Sequence, residues 1–125
     1  MIFAFAEDGT LTIHETEADV QREYEGIDVE NGVCSFYDDR GVFLEPQFVV
    51  PNQRGKTLGL IEWSVSGAYK LVPNPTADED PFAVALFETS VLNPNPWFAT
   101  IGELKSHLAQ RGVAVELVGP NAHGT

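Results

Sequence analysis

A chain of 125 residues has room for one hydrophobic core and not two, since a globule of this size buries about two-thirds of the surface its unfolded chain exposes. With 43% apolar, 10% aromatic and 21% charged residues, the composition is that of a folded domain, not a disordered segment, and no apolar run reaches the length of a membrane span. The net charge of −12 sets up a field that repels phosphates and so argues against DNA, RNA or an anionic membrane surface as a partner.

The apolar start Met1 to Ala6 is too short for the hydrophobic stretch of a signal peptide and runs straight into Glu7-Asp8, so a cytoplasmic location is expected. Ile2 to Phe5 and Leu11 to Ile13 flank Asp8-Gly9, a pair suited to a two-residue β-turn, and predict a hairpin. Thr16-Glu17-Ala18-Asp19 has the spacing of a capping box with Asp in place of Glu. It opens a helix expected to run to about Glu25, with Val20 and Tyr24 facing the core and Gly26 ending it. A second hairpin follows Asn31-Gly32, turning at Asp38-Asp39-Arg40-Gly41 and returning through Val42 to Val50, where Pro46 implies an edge strand or a bulge. Leu58 to Val65 and Ala68 to Val72 flank Ser66-Gly67 and predict a third hairpin. Up to six strands are expected before residue 75.

Asp80-Pro81 has the form of an N-cap followed by proline at the first helical position. Phe82 to Thr89 fits a short helix or a buried strand equally well, because periodicity does not separate the two over so few residues. Thr100-Ile101-Gly102-Glu103 is a capping box ahead of Ile101, Leu104 and Leu108, whose spacings of three and four residues define a helical face that ends at Gly112. Val113 to Val118 is expected as a last strand. The resulting picture is an α+β domain over residues 1–118 with a mainly antiparallel sheet of about five to seven strands, two or three short helices, and a flexible tail over 119–125.

Few residues point to chemistry. His14, His107 and His123 have no metal-ligand spacing, and the lone Cys34 excludes an internal disulfide and fits a buried small hydrophobe in a reducing compartment. An arrangement of Cys34, His14 and an Asp is conceivable, but nothing in the spacing requires it. Asp38-Asp39 and Asp78-Glu79-Asp80 gather carboxylates without the pattern of a calcium loop, and turn formation or helix capping accounts for both. Gly55-Lys56-Thr57 resembles the end of a P-loop but lacks the upstream glycine, so a loop is expected there. No cofactor or metal is expected.

The distribution of charge carries more information. Twelve acidic residues against Arg22 and Arg40 give residues 1–45 a net charge of −10, leaving −2 for the other eighty residues. A basic protein is the natural complement of such a surface, and Glu17, Asp19, Glu23, Glu25, Asp28 and Glu30 are the residues expected to meet it. The opening hairpin, the stretch from Thr16 through Val20 to Ile27-Asp28-Val29-Glu30-Asn31-Gly32, and the Phe36-Tyr37-Asp38-Asp39-Arg40-Gly41 turn together resemble small acidic bacterial proteins, some of them thought to be immunity proteins of polymorphic toxin systems. That resemblance implies an inhibitor of a basic toxin; a monomer or homodimer is expected. Three other readings remain open: the acidic residues as no more than a solvated helix face, a small enzyme or small-molecule binder with a pocket built from Trp63, Tyr69, Trp97 and His14, and a homo-oligomeric accessory protein joined through an exposed strand edge.

Overall fold

The structure is a computed structural model describing residues 1–57 and 61–117. It begins with the expected hairpin, β1 (Ile2–Ala6) and β2 (Thr10–His14), in antiparallel register with Phe5 opposite Leu11. The connection is longer than two residues. The Gly9 N–H bonds the Ala6 carbonyl at 3.1 Å, closing a turn over Glu7-Asp8, and Gly9 itself takes the left-handed position at φ +87°, the three-residue form in which glycine relieves the strain.

Two short helices follow in place of one, α1 (Glu17–Glu23) and α2 (Gly26–Glu30). Thr16 caps α1 as its spacing implies, its Oγ1 accepting from the Asp19 N–H at 3.2 Å. The helix stops at Tyr24, which is extended, and Gly26 starts the next helix instead of ending the first. The position demands a glycine on steric grounds: a Cβ on Gly26 would lie 2.6 Å from Asn52 Oδ1 and 2.9 Å from the Gly67 carbonyl oxygen.

The remaining elements are β3 (Cys34–Asp38), β4 (Phe43–Val50), β5 (Gln53–Thr57), β6 (Ile61–Val65), β7 (Ala68–Pro73), α3 (Phe82–Phe87), β8 (Val91–Leu92) and α4 (Ile101–Gln110). Six strands form a sheet in the order β7-β4-β3-β1-β2-β8, antiparallel except for the β2–β8 pair. The fold is α+β, as expected. β1 reads apolar at every position because it lies at the centre of a sheet covered on both sides. On one face Phe3, Leu11, Ile13 and Tyr37 pack with Phe82 and Leu86 of α3 and Leu104 and Leu108 of α4. On the other, Ile2, Ala4, Phe36, Leu44, Tyr69 and Leu71 pack with Val20 of α1 and Val29 of α2.

Several expectations need correction. Ser66-Gly67 joins β6 to β7 but makes no hairpin, since β7 pairs with β4 and β6 pairs with β5 in a separate two-stranded sheet. Gly55-Lys56-Thr57 is therefore strand, not loop, and among the described residues seven strands precede residue 75 where six were the expected limit. The ambiguous stretch from Phe82 is helical through Phe87, and its N-cap is Pro81, not Asp80, whose carbonyl instead accepts the Tyr37 hydroxyl at 2.6 Å. β4 is not an edge strand, but Pro46 lies beyond the β3–β4 pairing, which ends at Leu44, and is paired only with Leu71 of β7, a position that tolerates a missing donor; β4 also carries an irregularity between Phe48 and Val50.

Helix α4 is capped at both ends as the sequence implies. Thr100 Oγ1 accepts from the Glu103 N–H at 3.1 Å, Glu103 Oε2 accepts from the Ala99 N–H at 2.9 Å, and Gly112 at φ +83° lets the Val113 and Gly112 N–H groups bond back to Leu108 and Ala109. Residues 113–117 do not form the expected strand. Val115 turns inward to complete the core beside α4 and Glu116 pairs with Lys105 at 3.5 Å. Val118, the tail over 119–125 and His123 lie outside the described residues. Among those described, no helix is long and apolar enough to cross a membrane.

Candidate protein-binding surface

The six acidic residues singled out by the sequence all lie on α1, on α2 or at the corner between them, but folding gives them different work. Glu17 is half-buried: its Oε1 accepts the Leu71 N–H at 3.0 Å and the Gln21 amide at 3.3 Å, while Gln21 also donates to the Tyr69 carbonyl at 2.7 Å. Glu17 and Gln21 thus cover the outer edge of β7. Asp19 pairs with Arg22. The Asp28 carboxylate accepts from the Glu25 N–H at 3.3 Å, capping α2. Glu30 accepts from the Asn52 amide and Glu25 from the Ser66 hydroxyl at 3.3 Å, though both stay exposed. Glu23 is exposed and, among the described residues, makes no hydrogen bond or ion pair.

A second acidic feature is assembled from positions that the sequence analysis did not bring together. Between the β1–β2 turn, β3 and the start and end of α3 lies a hollow of about 190 Å³ lined by Glu7, Glu79, Asp80 and Glu88 over a floor that includes Phe5 and Tyr37. The Tyr37 hydroxyl is pushed up to about 12, first by burial and then by the carboxylates of Glu79, Asp80 and Glu88. The partial signal was the Asp78-Glu79-Asp80 run; Glu88 follows at the other end of α3, and Glu7 is far from it in sequence.

The nucleophilic arrangement does not form. Cys34 is half-buried, its thiol pushed up to about 12 by burial and then by Asp28, the opposite of what a thiolate nucleophile needs. His14 is buried, its pKa lowered by desolvation, against which the Glu23 charge acts. Its Nε2 lies 2.9 Å from Thr12 Oγ1, which is in turn 2.9 Å from the Tyr24 hydroxyl. This chain of polar groups satisfies a buried histidine without reaching Cys34.

Trp63, Tyr69, Trp97 and His14 do not share a pocket either. Trp63 lines an open groove of about 640 Å³ between α2 and the β5–β6 hairpin, together with Ile27, Asn31, Arg54 and Lys56. Tyr69 is buried, its hydroxyl donating to the Tyr24 carbonyl at 2.7 Å, and Trp97 lies across the molecule beside Met1, Asp39 and Arg111. His107 is exposed in the last turn of α4, where a cation suits the helix dipole, with its ring 5.3 Å from that of Phe98. Among the described residues no three His, Cys, Asp or Glu side chains form a metal-ligand set. Comparison with protein-family models, with curated proteins and with solved structures finds no significant match for this chain.

Proposed function

We propose that this chain is a protein-binding module that presents its acidic first third to a basic partner, as an immunity-type inhibitor would when covering the nucleic-acid-binding face of a toxin. The observation that carries this reading is that α1 and α2 leave Glu23, Glu25 and Glu30 at the surface while Arg22, the cation of that stretch, is held by Asp19. An uncompensated field of this kind draws in Lys-rich and Arg-rich surfaces, raises their association rates and makes those rates salt-dependent. The hollow framed by Glu7, Glu79, Asp80 and Glu88 supports it further, as a concave place for a cationic side chain of the partner.

The test uses paired baits, the native chain and a Glu23→Lys, Glu30→Lys variant, in extracts of the source cells. The native bait is expected to retain a basic protein, to suppress that protein's nuclease activity, and to associate with it more slowly as salt rises. Retention with unaltered kinetics by the charge-reversed bait refutes the reading.

A further inference from the structure

The two sheets treat their edges in opposite ways. In the six-stranded sheet, β7 is covered by Glu17 and Gln21, and β8 is two residues long and runs into Asn93-Pro94, so neither edge offers a template for another strand. The hairpin of β5 and β6 is a two-stranded sheet, an arrangement that is marginal in water without a third strand or a packed face. Its β6 edge has no proline, no lysine and, among the described residues, no backbone bond outside the hairpin.

The same region gathers exposed apolar surface. Nine large apolar side chains are exposed among the described residues, and five of them, Phe48, Val49, Val50, Trp63 and Val65, fall between residues 48 and 65. Trp63 is 42% exposed and Val65 56%, on one face of β6, with Glu62 and Ser64 on the other. Charge singles out this region as well. Residues 46–73 carry Arg54, Lys56 and Lys70 against Glu62, a net +2 in a chain of −12, so this is where two copies can approach with least mutual repulsion.

We propose that two copies of this chain pair through β6, edge to edge and antiparallel about a two-fold axis at Trp63, to form a continuous four-stranded sheet. The strand is self-complementary in that register. Trp63 meets Trp63 of the second copy, Glu62 falls opposite Ser64, and position 61 falls opposite Val65. No like charges face each other, and aromatic and β-branched residues form the cross-strand pairs that stabilise sheets. The interface is isologous and closed, leaving the acidic face of α1 and α2 free in both copies. This dimer goes beyond the proposed function and does not depend on it.

Sedimentation at micromolar to near-millimolar concentration tests the pairing. The mass is expected to rise with concentration toward twice the 13.7 kDa of the chain, and more readily as salt increases, because salt screens the repulsion between two acidic bodies. Val65→Lys, on an exposed position, is expected to hold the chain at the monomer mass with an unchanged far-UV spectrum. Hydrogen exchange on the native chain supplies a measurement free of substitutions: amides of β6 should gain protection as concentration rises. A monomer under all conditions, an unprotected β6, or a dimer untouched by Val65→Lys overturns the proposal. So does a dimer that weakens with salt, which would point to basic hairpin and acidic face meeting instead.

Discussion

Replacing Glu17 by alanine is expected to destabilise the fold by about 2 kcal/mol, although a glutamate on a short surface helix would ordinarily be dispensable. The magnitude follows from what its carboxylate holds. Oε1 accepts the Leu71 N–H at 3.0 Å, and Leu71 is only 8% exposed, so its donor loses its partner in a place water reaches poorly. A hydrogen bond to a charged group contributes roughly 1.5–3 kcal/mol, and an orphaned buried donor costs about 1–3 kcal/mol. Partial exposure of Glu17 keeps the sum toward the lower end of those ranges, and the loss of the Gln21 contact at 3.3 Å adds little. Glu17→Gln retains the acceptor oxygen and should lose less than half as much, while Glu23→Ala should stay within about 0.5 kcal/mol of the native chain. Urea unfolding at matched m-values measures all three. Equal stability of Glu17→Ala and Glu23→Ala would refute the assignment of Glu17 to the β7 edge. The result also bears on function: a charge-reversal experiment that includes Glu17 mixes unfolding with lost binding, whereas Glu23 and Glu30 are exposed.

Thr100→Ala is expected to cost about 1 kcal/mol by removing the oxygen that accepts the Glu103 N–H, read as a shift in denaturant midpoint at constant m-value; no shift would mean that the cap is dispensable. Gly67→Ala should destabilise by about 3 kcal/mol, because the added methyl would overlap the Val50 carbonyl oxygen and crowd the Pro51 backbone, and a native-like melting temperature would contradict that packing. His14 is buried with its pKa lowered, so the unfolded chain takes up a proton below about pH 6.5 before the folded one does. Its contribution to stability is therefore present above that pH and lost as pH falls, and His14→Gln should flatten the stability profile between about pH 7 and pH 5. An unchanged slope would show that His14 is not the group responsible.

Local features were legible wherever the physics is local. The caps at Thr16 and Thr100, the turn that ends at Gly41, the helix end at Gly112 and the apolar spacing of Leu104 and Leu108 depend on neighbours within a few residues, and those readings agree with the structure. The partner of β7 depends instead on which strand reaches it across the sheet. Ser66-Gly67 has the composition of a turn and serves as a corner, because β7 lies against β4 while β6 lies against β5. Gly26 has the composition of a helix terminator, and its real constraint, the approach of Asn52 and Gly67, is a tertiary one.

For function, the sequence by itself determined the sign and the location of the charge, since these are sums over side chains that no folding changes. Only the tertiary structure decided which carboxylates are engaged by the rest of the chain, because hydrogen bonds to Leu71, Asn52 and Ser66 come from strands and corners 22 to 54 residues away. It alone also brought Glu7 and Glu88 to one hollow with Glu79 and Asp80, and left β6 with an open edge while side chains of α1 covered that of β7. An edge is a property of a sheet's order, and order is set by long-range pairing that residue spacing does not encode.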